Sequence, residues 1–424
     1  FCKSLTPGVR EKLEAIMARG MSLCLVGGAS RQWILNQSLP FDLDFEIRPL
    51  ESKNLEILIE EVSNLLKAIF GNIRPMPFHV FIVETMDMGH VFQLEFSLPR
   101  REIYCATESA HGFGHSDFEV QIDPCMTYAE SFARRDFTIN AVGLEFKLGA
   151  SGHRVTVQDP HQGLEDLAGK ILRPIGETFY YDPVRFLRMI RFQLSLGFSL
   201  HPSLKQKMNK FNLHKITLHY FLREAFKTNF FNFIKLFFQY AEECQLELPS
   251  FLQTLKSLAL MPSTNLPLPD SPLQLAVVIA EVSEAERQKI LRKEGKLEEH
   301  LGLKSKTIQK LILAKKSEAI ILQLGQLDNS ASRNFSDSEF FHHPLVRDMA
   351  LVIKAYSRYP DIFEVRWTYL GKTGPELQVI KQLSQCMAST ELADDYDDKV
   401  SDRELRKMKL AMRSLGMFPR IAGL

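Results

Sequence analysis

The sequence lacks any run of about 18 consecutive apolar residues, so no membrane-spanning helix is expected. Cysteine is sparse and scattered: Cys2, Cys24, Cys105, Cys125, Cys244 and Cys386 form no CxxC pair and no metal-finger spacing. Such thiols fit a reducing, cytoplasmic setting rather than a disulfide framework. An excess of charge of either sign is also missing. Lys and Arg total 52 and Asp and Glu 51, a net charge of +1, so only local charge can mark a nucleic-acid partner. Tryptophan occurs 2 times against 31 phenylalanines, and the start, Phe1-Cys2-Lys3-Ser4, has no signal-peptide pattern and reads as a truncation point. What is present is apolar residue: 45% of the 424, enough for a sizeable core and two to four domains.

Residues 8–19 carry helical spacing through Val9, Leu13, Ile16 and Met17. Leu23-Cys24-Leu25-Val26 predicts a short buried strand ending at Gly27-Gly28, with a helix starting over 30–36. From Phe41 to Ile47 the chain alternates strictly, with Phe41, Leu43, Phe45 and Ile47 on one face and Asp42, Asp44 and Glu46 on the other. Period two predicts a half-buried strand with an acidic face. Residues 53–69 predict an amphipathic helix, and Val91 to Leu98 alternates again, with Gln93, Glu95 and Ser97 on its polar face. Residues 104–124 are expected to be a loop. From about residue 183 the pattern is helical, broken by expected linkers at 262–272 and 327–344 and by an acidic turn at 391–398. An α/β head followed by a helical remainder is the simplest organisation.

A D-x-D pair arises readily by chance. Placed on a strand, Asp42 and Asp44 point the same way, and two adjacent carboxylates repel unless a cation lies between them. Oxygen ligands of this kind suit Mg²⁺, and a two-ion site can stabilise both attacking and leaving oxygens in phosphoryl transfer. Glu95 or Glu46 could supply a third carboxylate. Gly27-Gly28 before a helix lets backbone approach a phosphate, and Arg31 could pair with it.

The ordered blocks resemble one family. Leu25-Val-Gly-Gly-Ala-Ser-Arg31, Asp42-Leu-Asp44, Glu95-Phe-Ser-Leu-Pro-Arg100, Arg134-Arg-Asp-Phe-Thr-Ile-Asn-Ala141, the Asp159-Pro to Ile171-Leu-Arg173 segment and Asp182-Pro-Val-Arg-Phe-Leu-Arg-Met-Ile-Arg-Phe192 are similar, in order, to the motifs of class II CCA-adding tRNA nucleotidyltransferases and the related bacterial poly(A) polymerases. Gln32 and Tyr181 replace acidic residues of that pattern, and the family's loop before Arg134 is not recognisable in 101–130.

The resemblance implies an α+β fold: a polymerase-β-like nucleotidyltransferase head with a small mixed sheet, then an elongated all-helical neck, body and tail. It implies a head at 1–146, a base-recognising neck at 147–230, a helical body at 231–330 and an RNA-binding tail at 331–424. Asp42, Asp44 and Glu95 would be catalytic, with two Mg²⁺ ions on Asp42 and Asp44. Gly27, Gly28, Arg31, Arg134, Arg135, Asp136, Asn140, Asp182, Arg185, Arg188 and Arg191 would bind the nucleotide. Within that set, Asp182 and Arg185 would read the base, although Asp182 before Pro183 is also an ordinary helix N-cap. The implied substrates are CTP, ATP and the 3′ end of tRNA or another RNA.

Basic residues concentrate at 287–316 (Arg287, Lys289, Arg292, Lys293, Lys296, Lys304, Lys306, Lys310, Lys315, Lys316) and at 403–413. Arg292, Lys293, Lys296, Lys304 and Lys306 are the candidates for RNA phosphate contacts, which are salt-dependent and blind to sequence. The alternatives to complete CCA addition are partial C- or A-addition, poly(A) synthesis and a catalytically inactive RNA-binding scaffold.

Overall fold

A computed structural model describes residues 5–51, 54–104, 113–149, 152–261, 264–291, 297–304, 306–329, 344–372, 375–388, 405–408 and 411. The chain divides into two compact units, one of residues 1–228 and 235–249, the other of 229–234 and 250–424.

The first unit holds a seven-stranded mixed sheet. Its strands are β1 (Met21–Val26), β2 (Asp42–Pro49), β3 (Arg74–Met76), β4 (Val80–Asp87), β5 (His90–Ser97), β8 (Gly143–Gly149) and β9 (Gly152–Gln158), in the order β3-β4-β5-β2-β1-β8-β9. β2 runs parallel to β5 and antiparallel to β1. All six residues of β1 are buried, as befits a strand paired on both edges, by β2 and β8. One sheet face is covered by α1 (Pro7–Met17) and α3 (Leu55–Phe70), whose Val9, Leu13, Leu58, Val62 and Leu66 pack with Leu43, Phe45 and Ile47 in one core. Phe45 and Phe96 stack at 5.5 Å, and burying each ring stabilises the fold by roughly 1.5–3 kcal/mol. Asn54 accepts the amides of Glu56 and Ile57 to start α3, and Gly71 ends it at φ 80°.

Three expectations change here. Phe41 is 49% exposed, because it precedes the first strand residue. Glu46, expected on a solvated acidic face, is 1% exposed. β2 is an interior strand, and the short helix α4 (Tyr128–Phe132) brings Ser131 against Glu46, leaving no open face there. The expected loop at 104–124 contains a strand as well. β6 (Arg100–Tyr104) pairs antiparallel with β7 (Phe118–Ile122), Tyr104 facing Phe118; residues 105–112 lie outside the described set.

Helix α2 (Gly27–Asn36) leaves β1 directly, and α5 (Gly163–Gly169) follows β9. Then α6 (Pro183–Leu196) starts with Asp182 as N-cap and Pro183 at its first turn, and stops at Gly197 with φ 68°. α7 (Pro202–Gln206), α8 (Leu218–Ala225) and α9 (Phe230–Glu243) continue the helical region. Aromatic edge contacts join Phe186 to Phe211 and Phe237, and Phe221 to Phe237.

The regular structure described in the second unit is helical, with helices Pro272–Glu281, Thr307–Asn329, Pro344–Arg358, Pro360–Tyr369 and Pro375–Ala388 among its elements. Arg366, 1% exposed, donates to Glu281 at 2.7 Å and to Glu318 at 2.6 Å, fastening three helices at one buried charge. The expected linker at 262–272 is irregular over 264–271 and gives way to helix at Pro272. The one expected at 327–344 begins inside a helix that runs to Asn329, and its residues 330–343, like the acidic turn at 391–398, lie outside the described set. Among the described residues no helix is long and apolar enough to cross a membrane.

Candidate active site

β2 and β5 set the acidic residues. Asp44 stands opposite Glu95 and Asp42 opposite Gln93 across the parallel pair, so Asp42, Asp44 and Glu95 share one sheet face. Gln93 Nε2 donates to Asp42 Oδ1 at 3.3 Å. Burial pushes the Asp44 carboxyl up to about 6; the charges of Glu95 and Asp42 add to the rise and Arg135 opposes it. Repulsion of this kind is relieved by a cation.

Glu46, the other candidate third acid, is spent on structure. Its Oε1 accepts Arg48 Nε at 2.9 Å, Arg48 Nη2 at 2.6 Å and Ser131 Oγ at 3.2 Å. Among the described residues no three His, Cys, Asp or Glu side chains group closely enough to hold a metal by themselves. Mg²⁺ is ordinarily held by one or two carboxylates completed by waters and substrate phosphates, so the Asp42–Asp44 donor set fits it without a third protein ligand.

Gly27 begins α2 at φ 74°, and a Cβ there would lie 3.3 Å from both Arg135 Nη1 and Asp44 Oδ2. A side chain would therefore be strained and would also press on the acid. No side chain caps this helix start, leaving amide donors free beside Asp44.

The Arg134–Ala141 segment follows α4 and wraps into a short 3₁₀ turn, Thr138–Asn140. A polar chain runs from it to two helices. Arg31 on α2 donates to Asn140 Oδ1, Asn140 Nδ2 donates to Asp136 Oδ1 at 2.8 Å, and Arg188 Nε on α6 donates to Asp136 Oδ2 at 2.7 Å. Asp136 is buried, yet Arg188 and these hydrogen bonds hold its carboxyl far below the usual range, so it stays ionised. α5 supports the turn from below: a Cβ on Gly163 would meet the Thr138 carbonyl oxygen at 2.2 Å.

Asp182 is the helix N-cap that its place before Pro183 allowed. Oδ1 accepts the Val184 amide at 2.8 Å as N-cap, and the residue also faces the cavity. One turn on, Arg185 donates to the Arg134 carbonyl at 2.7 Å and lies 3.7 Å from Asp182 Oδ2. Arg191 pairs with Glu224 of α8 at 3.1 Å.

These residues line one cavity of about 680 Å³. Every nucleotide candidate from the sequence borders it: Gly27, Gly28, Arg31, Arg134, Arg135, Asp136, Asn140, Asp182, Arg185, Arg188 and Arg191. Of the three catalytic candidates only Asp44 does; Asp42 and Glu95 are not in its lining. Sequence reasoning missed Arg100, Glu102, His115, Tyr220, Arg223 and Lys227, which also line it. Arg100 closes a quoted motif and was the most findable of them.

Two of the five RNA candidates fall among the described residues. Lys304 and Lys306 are exposed, whereas Arg292, Lys293 and Lys296 lie outside the described residues. The wider basic run proves partly structural. Arg287 donates to the carbonyls of Ala280 and Val282, Lys310 sits 3.6 Å over the Tyr359 ring, and Lys315 donates to the Glu281 carbonyl. These three charges are turned inward to satisfy helix ends and aromatic faces.

The site thus combines a mixed sheet, acids on adjacent parallel strands and an arginine-lined cavity beside them. Residues 23–173 match the family model of the Poly A polymerase head domain, which bears out the resemblance read from the motifs. The "Multifunctional CCA protein" of Shewanella frigidimarina is 29% identical over 232 residues, 53% of this chain and 49% of that protein. That of Xanthomonas axonopodis pv. citri is 42% identical over 97 residues, 22% of each. The chain thus spans about half, or less, of the length of the curated relatives it matches. A solved CCA-adding enzyme in complex with ATP shares the fold, with a TM-score of 0.51 and 15% identity over 99% of this chain and 94% of that one.

Proposed function

We propose that the protein is a template-independent nucleotidyltransferase that adds C, A or both to the 3′ end of tRNA from CTP and ATP, releasing pyrophosphate. The observation that carries this reading is the single cavity in which Asp44, the arginine cluster and the Asp182–Arg185 pair face one another. Asp42 and Asp44 would hold two Mg²⁺ ions, with Glu95 completing the acidic site, and bound metal would activate the RNA 3′-hydroxyl and neutralise charge on the triphosphate.

The chain's own groups supply binding and selection. The α2 amides with Arg31, Arg134, Arg135, Arg188 and Arg191 offer donors for phosphate oxygens. Asn140, held by Asp136, would meet a ribose hydroxyl. Asp182 can accept from a base amino group while Arg185 donates to a ring acceptor, so side chains replace a template strand. The head at 1–146 would carry the chemistry, the neck at 147–230 base choice, and the body at 231–330 and tail at 331–424 the RNA. Lys304 and Lys306, with Arg292, Lys293 and Lys296, would add phosphate contacts in the body. The free thiols of Cys24 and Cys244 fit a reducing, cytoplasmic setting.

The test supplies Mg²⁺, CTP and ATP singly and together, and tRNA ending before the first C, after the second C, or complete. The proposal expects a short, self-terminating C and A addition. A long A ladder on generic RNA would mark poly(A) synthesis instead. RNA binding with no incorporation would leave only a scaffold.

A further inference from the structure

A row of aromatic rings runs from the edge of the sheet to the Asp182–Arg185 pair. Phe78, between β3 and β4, lies 6.1 Å from Phe118 of β7; Phe118 is 5.6 Å from Tyr104 of β6, and Tyr104 is 5.5 Å from Tyr181, the residue before Asp182. Phe113 touches both Tyr104 and Tyr181, at 5.5 Å and 4.9 Å. The two ends of the row are open: Phe78 is 46% exposed and Tyr181 40%. Phe78 and His79 hold φ of 65° and 54°, a backbone region that bulky side chains rarely adopt. Strain of that kind costs free energy and clusters at ligand clamps. The Arg100 guanidinium lies 5.6 Å over the Phe78 ring, which sets a cation beside this end of the row.

The row is continuous with the cavity. Tyr104 stands opposite Phe118 across the β6–β7 hairpin, on the same face as Arg100 and Glu102, and Phe118, Arg100 and Glu102 all line the cavity. The Tyr104 hydroxyl is buried and has no hydrogen-bond partner among the described residues. Burial pushes it up to about 12; Arg185 opposes the rise, and Asp182 and Glu102 add to it. Tyr181 stands where the motif pattern has an acidic residue, so its ring is a feature of this chain. Exposed rings beside an arginine-lined cavity suit unpaired nucleobases, because every base has a π face to stack and its backbone is drawn by the cations. An apolar peptide would use the rings but not the charge.

We propose that Phe78 and Tyr181 are stacking residues for the unpaired bases at the 3′ end of the RNA, which the row of rings leads from the sheet edge to the cavity. The choice of RNA as occupant rests on the nucleotidyltransferase reading, and the test reads binding alone.

The experiment uses the full chain without nucleotide or Mg²⁺. The probes are a single-stranded RNA of about six nucleotides ending in 2-aminopurine, and the same RNA with its final nucleotides lacking bases. Binding to the parent should quench the 2-aminopurine, and removing the bases should weaken parent binding about tenfold. Phe78→Gly suits the φ of 65° and removes the ring, so it should melt near the parent. It and Tyr181→Ala should each bind the intact RNA several-fold more weakly, quench less and discriminate less against the baseless RNA, while Tyr181→Phe should behave as the parent. Absence of quenching, equal binding of both RNAs by the parent, or unchanged RNA affinity in both ring-deleted variants overturns the proposal. A raised KM for CTP and ATP with RNA affinity intact also overturns it and gives the rings to the incoming nucleotide. Failure of nucleotide incorporation would instead strike the nucleotidyltransferase reading and leave the binding result standing.

Discussion

The imidazole Nδ1 of His115 lies 2.9 Å from Asp182 Oδ2, while Asp182 Oδ1 is occupied by the Val184 amide at 2.8 Å. Both oxygens of the proposed base-reading carboxylate are therefore engaged in the free protein. His115 also packs edge-on against Tyr220 at 4.7 Å, which holds the ring in place. An incoming amino group has to displace an imidazole worth about one hydrogen bond. His115→Ala should lower the nucleotide KM a few-fold with kcat unchanged. Steady-state incorporation with CTP and ATP checks this, and an unchanged or raised KM for both contradicts it.

Asp44 gives a pH dependence whose sign is fixed. Its folded carboxyl titrates at about 6, above its ordinary value, so the folded chain holds this proton more tightly than the unfolded one. This group's contribution to stability in the cation-free protein falls as pH rises from about 4 to about 6, then levels. A divalent cation favours the carboxylate and competes with the proton. Mg²⁺ should therefore raise the melting temperature more at pH 7 than at pH 5, and Asp44→Asn should abolish the difference. Equal Mg²⁺ effects at both pH values would contradict the assignment.

Asp136 is buried and paired with Arg188, and its other oxygen orders Asn140. Asp136→Asn removes the partner of a guanidinium and should cost about 3 kcal/mol in denaturant unfolding. Selection of ribonucleotides over deoxyribonucleotides should fall with it, since Asn140 loses its anchor. Full retention of both would sink the proposed role of this chain of contacts.

Glu46 and Glu95 separate structure from chemistry. Glu46→Gln breaks a buried ion pair with Arg48 and should lower stability by about 3 kcal/mol while incorporation at low temperature persists. Glu95→Gln should do the reverse, leaving the melt nearly unchanged and incorporation strongly reduced. If the Glu46 variant alone lost activity in a fully folded state, the third acid has been misassigned.

The acidic strand was legible because period-two alternation shows directly which side chains share a face. That Glu46 leaves this face for a buried pair was not, since alternation does not say what covers a strand; Ser131 comes from 85 residues away. β7 carries its own alternation at Phe118, Val120 and Ile122, but the surrounding glycines and histidines mask it, and its partner β6 follows directly on another motif. The nucleotide candidates came from contiguous motifs and were gathered into one cavity. His115 and Tyr220 belong to no such block and only the fold brings them to the cavity. The basic run at 287–316 misled in part because sequence cannot tell a cation over an aromatic ring, as Lys310 is, from one in solvent.

The most direct test of the central claim is transfer of labelled nucleotide to an RNA 3′ end by the parent chain and by Asp42→Ala and Asp44→Ala, each with and without Mg²⁺. The account predicts metal-dependent incorporation by the parent and none by either variant, with RNA affinity preserved in both. Undiminished incorporation by either variant, or by the parent without divalent cation, would contradict it.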